Sequence, residues 1–430
     1  MEHSVLGRPS FSWFGAENWN GRWLLVFVGI DWSETQHEVQ VMAESGEALR
    51  SLRIAHGVEG VTKLQETIAE FATEPSEVVV GIESDHGLLV NVLVASGYAV
   101  YPINPLTAAR YRDRHSLAGN KSDRRDAVML ANVVRQDRHQ LRPLRGDSEQ
   151  ALEIRARARA HFRAIQLQNL LRNQLRSRLL EFYPAMVPLL SADLRDALAV
   201  LSVAPAPQLG RRLSRSKLEA ALVRQGRQRR VSQRAEEIQT VLRASQLDLP
   251  QPRLVSAYSD EVAGLTRLLL QVGQELAQWE AQLTAAFRAH PDVKIFLSFT
   301  GLADILGARV LGESGDDPTR YADATARRNY SGNPPVTRAS GKKRLVMRRV
   351  ARNRRLANAT FCWAESAVRH SPGARETYRR LRRRGQTHNM ATRAIANKLV
   401  GMLHACLRDR IPYAEARAWP NGLSQSAVDA

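Results

Sequence analysis

Four carboxylates and one hydroxyl define the chemistry open to this chain. Asp31 ends the apolar run 24–30, and Glu83 ends a second run, 77–82. Asp123 and Asp126 lie three apart in Lys121-Ser-Asp-Arg-Arg-Asp-Ala127, which leads into an apolar helical pattern (Val128, Leu130, Ala131). A spacing of three puts both carboxylates on one face of a first helical turn. A carboxylate that follows a buried strand is costly unless it is paired or binds metal. Four such groups at one end of a sheet repel and raise each other's pKa, and divalent cations relieve that repulsion. Oxygen-only ligands and a phosphate substrate suit Mg2+ or Mn2+. Two such ions about 4 Å apart stabilise both the attacking and the leaving oxygen of an in-line phosphoryl displacement. Taken alone, Asp123 and Asp126 also read as a helix N-cap and a partner for the helix dipole.

The hydroxyl is Ser340, placed before Gly341 in a segment read as a loop. A serine is a weak nucleophile until a base or a metal activates it, and most Ser-Gly pairs are only turns. Its surroundings are the stronger signal. Between Thr337 and Arg355 stand nine cations and no acid: Arg338, Lys342, Lys343, Arg344, Arg348, Arg349, Arg352, Arg354 and Arg355. A solvated helix face of that composition would repel itself, so the run reads as a phosphate-binding surface. Lys121, Arg124 and Arg125 flank the acidic pair in the same way. Tyr111 and Tyr330 are rival nucleophiles, but neither has an Arg-His-Arg setting.

The elements that must position these groups are legible in outline. Runs at 24–30, 37–43, 48–55, 77–82 and 99–103 read as strands, and 58–71 and 88–95 as helices. Three adjacent antiparallel strands followed by strand and helix in alternation give a mixed α/β sheet. Residues 148–182 form one long helix, with Leu167, Leu171, Leu175, Leu179 and Phe182 on one face and Pro184 ending it. The Pro-, Arg- and Gln-rich stretch 203–235 reads as a linker or a basic helical arm. Val255, Tyr258, Val262, Leu265, Leu269, Val272, Leu276, Trp279 and Leu283 then recur at spacings of 3 and 4. That seam fits a coiled coil or a long helix packed inside a bundle, and either could build an oligomer. A helical domain follows from Val293, and the tail after Pro412 is expected to fray.

The whole chain carries 62 Lys and Arg against 43 Asp and Glu in 430 residues, a formal charge of +19. Such an excess points to a polyanionic partner. Cys362 and Cys406 are the only cysteines, which excludes a disulfide framework or a cysteine-built zinc site. No run of about 18 apolar residues could span a bilayer; the longest N-terminal apolar stretch, Trp23–Ile30, is short, contains Gly29 and follows Glu2, Glu17 and Arg22, which is not the layout of a secretory signal. The expectation is a cytoplasmic, nucleoid-associated protein without a membrane partner.

Five short stretches of the N-terminal third occur together and in order: Gly29-Ile-Asp-Trp-Ser33, His37, Gly81-Ile-Glu-Ser84, Val100-Tyr-Pro-Ile-Asn-Pro105 and the Lys121–Ala127 segment. They are joined by Phe299-Thr-Gly301, Gly315-Asp316, Tyr330-Ser-Gly-Asn-Pro334 and Ala339-Ser-Gly-Lys342. Together they resemble the DEDD transposases of bacterial insertion sequences, the IS-one-ten and IS-eleven-eleven group, kin of the Piv invertase. The resemblance runs over about residues 24–415. It departs from the family pattern at Ser84-Asp-His-Gly87, at Asn333 in place of a usual leucine, and at Ala303 in place of a glycine.

The resemblance implies a RuvC-like, RNase H-type domain with the tetrad on Asp31, Glu83, Asp123 and Asp126, and a catalytic serine at Ser340. It implies Mg2+ or Mn2+ and DNA as substrate. It further implies a structured bridge RNA as guide and a dimer or tetramer through a coiled coil. The expected organisation is a lead-in (1–22), a RuvC-like catalytic domain (23–145), a helical coiled-coil or linker region (146–290), a serine-bearing transposase domain (291–415) and a tail (416–430). The rival readings are a RuvC-like junction nuclease that activates water, and a nucleic-acid-binding scaffold with an inactive site.

Overall fold

The computed structural model describes residues 25–85, 87–115, 122–141, 143–144, 146–340, 343–347, 349 and 352–420, without the side chains of residues 106, 112–115, 338–340, 343 and 344. Contacts divide the chain into two compact units, Met1–Asp147 and Ser148–Ala430. The lead-in, 1–22, lies outside the described residues, as do Lys121, Lys342 and Arg348.

The first unit is a mixed α/β structure. In chain order it contains β1 (Val26–Asp31), β2 (Gln36–Met42), β3 (Ala48–Ala55), α1 (Val58–Ala69), β4 (Val78–Ile82), α2 (Leu88–Ala95), β5 (Ala99–Pro102), α3 (Pro105–His115) and α4 (Asp123–Asp137). The five strands form one sheet in the order β3-β2-β1-β4-β5. β1, β2 and β3 pair antiparallel, whereas β1–β4 and β4–β5 pair parallel. Strand alternation divides the side chains between two faces. Val28, Ile30, Val80 and Ile82 join Leu64, Ile68, Val90 and Leu93 of α1 and α2 in one core. Phe27 and Val79 face the other way, onto Leu130 and Val134 of α4.

The second unit is largely helical. It holds α5 (Glu149–Phe182), α6 (Met186–Ala192), α7 (Leu194–Leu201), α8 (Pro207–Arg211), α9 (Arg215–Arg224), α10 (Val231–Arg243), α11 (Pro252–Arg288), α12 (Val293–Ser298), α13 (Asp304–Ser314) and α14 (Ala324–Ser331). A hairpin, β6 (Val336–Ser340) and β7 (Lys343–Met347), precedes α15 (Arg354–His370), α16 (Pro372–Arg383), α17 (His388–Asp409) and α18 (Glu415–Ala418). The two long helices α5 and α11 lie antiparallel. Arg157 Nη1 donates to Gln282 Oε1 at 2.8 Å near one end, and Arg178 Nε stands 2.8 Å from Glu261 Oε2 near the other. One core gathers the end of α5 (Leu171, Leu175, Leu179) with α6–α10 and the first half of α11. A second core joins the start of α5 (Ala151, Ile154) to Leu283, Phe287 and the helices that follow.

Four expectations change here. The seam of α11 is spent inside the chain: Val262, Leu269, Leu276 and Leu283, each seven apart, are buried, and the helix packs on α5 as a member of a bundle. Residues 203–235 are not a linker. They build α8, α9 and the start of α10, and Leu213, Leu218, Leu222 and Ala235 enter the core. Their arginines are used locally: Arg227 and Arg234 both bond the buried Asp196. The tail does not fray at Pro412. Tyr413 stacks on Phe299, Glu415 accepts from the Gly373 backbone N–H at 3.2 Å, and Trp419 is buried. Finally, Ser340 ends a β-strand and pairs with Lys343 across a hairpin rather than lying in an irregular loop.

Candidate active site

Backbone register positions the acids of the first unit. Ile30 pairs with Ile82 across the parallel β1–β4 ladder, so Asp31 and Glu83, the next residue on each chain, leave the sheet side by side at its C-terminal end. By alternation both continue the rows of Phe27–Gly29 and Val79–Gly81, which face α4. The two glycines bring that helix close. A Cβ on Gly29 would meet the Ala127 carbonyl oxygen at 2.0 Å, and one on Gly81 would meet the Leu130 oxygen at 2.6 Å. Just past the C-terminal end of α4, Arg138 lies over the Phe27 ring at 5.1 Å. The helix therefore runs opposite to β1, and its first turn lies toward the Asp31 end.

That first turn carries Asp123 and Asp126. Asp126 is buried and Asp123 exposed. Ser122, and not Asp123, is the N-cap: its Oγ accepts from the Arg125 backbone N–H at 3.3 Å. The cap leaves both carboxylates near the positive end of the helix, where negative charge is favoured. Arg124 and Arg125 are exposed beside them. Asp31 and Glu83 are half-buried. The donors are all hard oxygens on three elements at one end of the sheet, a set that fits a divalent cation such as Mg2+. As the side chains stand, no three His, Cys, Asp or Glu among the described residues are grouped closely enough to hold one ion.

His37 of β2 belongs to the same end of the sheet. Its Nδ1 accepts from the Ser33 backbone N–H at 3.3 Å, and its Nε2 meets His56 Nδ1 at 3.1 Å. Trp32 stacks on it. Burial, and after it the charge of His56, lowers the pKa of His37 below 6.5.

In the second unit the hairpin brings Ser340 to its turn, next to Gly341 and Lys342, which lie outside the described residues. Arg338, Lys343 and Arg344 stand on its two strands. Downstream, Arg349 Nη2 donates to Asn329 Oδ1 at 3.1 Å, and Arg352 Nη1 to the Arg349 carbonyl at 3.3 Å. Arg354 and Arg355 are exposed on the first turn of α15. Asn353 caps that helix, accepting from the backbone of Arg355 and Leu356 at 3.0 Å each. Its Nδ2 donates to Glu313 at 3.0 Å.

Arg349, Arg352 and Arg354 converge on a cleft of about 660 Å3 completed by Asn358, Phe361, Asn389 and Arg393. The sequence reading missed those last four. Asn389 and Arg393 lie on α17, too far along the chain for any local spacing to announce them. Arginines, amides and an aromatic ring suit a nucleic-acid strand, offering phosphate contacts, hydrogen bonds and a stacking surface. The departure at Asn333 is accommodated: the residue is buried, and its Nδ2 donates to Ser331 Oγ at 2.9 Å and to Thr360 Oγ1 at 3.2 Å.

Comparison with known proteins agrees with this layout. A family model described as "Transposase" (DEDD_Tnp_IS110) matches residues 28–184, and one described as "Transposase IS116/IS110/IS902 family" matches residues 293–379. The "Mini-circle putative transposase for IS117" of Streptomyces coelicolor is 40% identical over 410 residues, 94% of this chain and 99% of the relative. The "Insertion element IS900 uncharacterized 42 kDa protein" of Mycobacterium paratuberculosis is 28% identical over 405 residues, 90% of this chain and 97% of the relative. No helix among the described residues is long and apolar enough to cross a membrane. With strand-end acids in its sheet unit, a serine hairpin in its helical unit and similarity along nearly its whole length, the chain belongs to the IS110 family of transposases.

Proposed function

We propose that this transposase is a site-specific DNA recombinase that cuts and rejoins strands through a phosphoserine, with Mg2+ (or Mn2+) at the acidic end of the sheet and a structured bridge RNA as guide. The observation that carries the reading is the Ile30–Ile82 parallel register beneath α4, which sends Asp31, Glu83 and the first turn with Asp126 to one end. The strand order, three antiparallel strands followed by two parallel additions, supports a RuvC-like, RNase H-type assignment.

Asp31, Glu83, Asp123 and Asp126 would hold the cation, which supplies Lewis-acid stabilisation of phosphoryl oxygens. Ser340 Oγ attacks phosphorus. The serine O–P bond forms as the P–O3′ bond breaks, the serine proton departs to a base, and the released 3′ oxygen takes up a proton. In rejoining, a 3′-hydroxyl of the exchanged strand attacks the same phosphorus and Ser340 leaves. One phosphodiester bond is exchanged for another, so no ATP is consumed.

Lys121, Arg124, Arg125, Arg338, Lys342, Lys343, Arg344, Arg348, Arg349, Arg352, Arg354 and Arg355 would hold backbone phosphates of DNA or RNA. Choice of sequence would rest on base pairing to RNA, as in guided systems. The active assembly would be a dimer or tetramer. Because α11 is packed on α5 within the chain, its contacts would use other surfaces.

The test is to incubate the full-length protein with Mg2+ and the ends of its element, trap the protein–DNA adduct and map the linked residue. Ser340→Ala should lower adduct formation and strand exchange by ~10^4-fold or more. Continued cutting by Ser340→Ala without an adduct would make water the nucleophile and the chain a junction nuclease. If neither Mg2+ nor Asp31→Asn altered any activity, the chain would be a binding scaffold.

A further inference from the structure

Among the described residues, several guanidinium groups leave water in the grip of acids. Arg159, Arg227 and Arg234 are clasped by acids: Arg159 by Glu313 at 2.6 and 2.9 Å, the other two by Asp196 at 2.7–2.8 Å. Arg327 of α14 is different. It is 5% exposed, and its guanidinium lies 4.6 Å from the centre of the Tyr321 ring. The aromatic face supports the flat side of the cation. Its donors Nε and Nη1 are both buried and have no hydrogen-bond partner among the described residues. A charge held in this way is strongly disfavoured unless something supplies a counter-charge and acceptors. Burial, the largest influence, lowers its pKa below the ordinary arginine value.

Arg327 lines a cavity of about 300 Å3. His404 of α17 lines it too, and His404 Nδ1 is likewise buried and unpartnered. The two carboxylates in the lining are already engaged. Asp292 accepts from Arg410. Asp316 accepts from the Ser148 backbone N–H at 2.9 Å and meets His290 Nε2 at 3.2 Å. Phe296, Leu311 and Leu407 make one part of the wall apolar, and Arg408 and Arg410 add cations to it. Two unpaired donors on a buried guanidinium call for negatively charged acceptors, which the oxygens of an oxyanion supply. The apolar part of the wall has room for an organic group attached to that anion.

We infer that this cavity is a phosphate site in which Arg327 and His404 hold the phosphoryl group of a nucleotide. The phosphate chemistry follows from the cavity itself; a nucleic-acid strand end as its source rests on the function proposed above. The site is separate from the Ser340 hairpin and the cleft of α15 and α17, and it takes no part in the serine chemistry. Its role is to anchor one phosphate while strands are held or exchanged.

The experiment is thermal unfolding of the full-length protein at constant ionic strength. Chloride is replaced in turn by inorganic phosphate, thymidine 5′-monophosphate, and short oligothymidine with and without a 5′-phosphate. Wild type should gain melting temperature saturably with phosphate or the monophosphate, as mass action requires. Arg327→Met keeps the side-chain volume and removes the charge. It should melt at or above the wild-type temperature in chloride and lose the phosphate increment, and His404→Phe should weaken the apparent affinity about tenfold. Should Arg327→Met not fold, Arg327→Lys keeps the charge without the guanidinium donors Nε and Nη1 and should reduce the increment. A larger gain from the 5′-phosphorylated oligomer than from its unphosphorylated twin identifies a strand end; equal gains from both oligomers, with a response to the monophosphate, identify a free nucleotide. The inference is overturned if no probe shifts wild type, or if Arg327→Met and Arg327→Lys keep the full increment. Loss of the Ser340 adduct with the increment intact would sink the proposed function alone.

Discussion

The two units use carboxylates in opposite ways. In the helical unit, acids hold the fold together. Asp196 is 1% exposed and binds two arginines, and Glu313 bridges α5, α13 and the cap of α15 through Arg159 and Asn353. Burial alone would raise the Glu313 carboxyl, but the hydrogen bonds from Arg159 and Asn353 and the nearby guanidinium charges hold it below the ordinary value. In the sheet unit the acids are delivered by backbone. Asp31 and Glu83 follow from strand register, and Asp126 from a helix seated on two glycines. A unit whose acids stabilise it needs charge to fold. Where strand register and helix seating place an acid, exchanging it for its amide leaves the elements that place it in position.

The sharpest test of that contrast is Asp31→Asn, which should lower strand cleavage by ~10^3-fold or more and leave the melting temperature close to that of wild type. A large loss of stability would end the distinction. Asp196→Ala should do the reverse, costing about 3–5 kcal/mol by leaving two guanidinium groups without their buried partner, as read by urea unfolding. Gly29→Ala should cost about 3 kcal/mol, because the added methyl would overlap the Ala127 carbonyl oxygen and push α4 off the sheet. The companion effect is lost cleavage, since the first turn of α4 moves with the helix. An alanine variant with unaltered stability would mean that register alone places the acids.

The smallest effect is in pH. His37 has a folded-state pKa below its unfolded value near 6.5. The unfolded chain therefore binds the proton more readily, and the stabilisation from neutral His37 is fully present above about pH 6.5 and lost as pH falls through the folded value. Glu313 loses its contribution only at lower pH, as it is protonated below its ordinary value of 4.5. Because His161 and His404 of the helical unit share the direction of His37, the clean readout is the NMR titration of the His37 ring. It should titrate below 6.5, and His56→Gln should move it upward. A His37 that titrates above 6.5 would contradict this account.

Much of the sheet unit was legible because its signals are local. Apolar runs such as 24–30 and 77–82 give buried strands, and the acids that end them, Asp31 and Glu83, are visible without knowing any partner. The helical unit was harder. Arg227 and Arg234 look like a basic arm until Asp196, 31 and 38 residues upstream, comes into view. The heptad pattern of α11 is real, but a pattern of that kind does not say whether its partner is another chain or α5. The docked tail depends on Trp419 finding the surface around Gly373, 46 residues earlier, where a Cβ would meet the Trp419 side chain at 2.2 Å. Phe361, Asn389, Arg393 and Arg327 gave no signal at all.

By itself, then, the sequence determined the strands, the acids at their ends, the charge that calls for a polyanion and the serine within a basic run. These are set by composition and by periodicities of two and of three to four, which are properties of neighbours along the chain. Only the tertiary structure decided which arginines are spent on buried acids, which line an open cleft, and that Arg327 is buried with two unpaired donors. Those outcomes depend on helices distant in sequence meeting in space, and no local period encodes that.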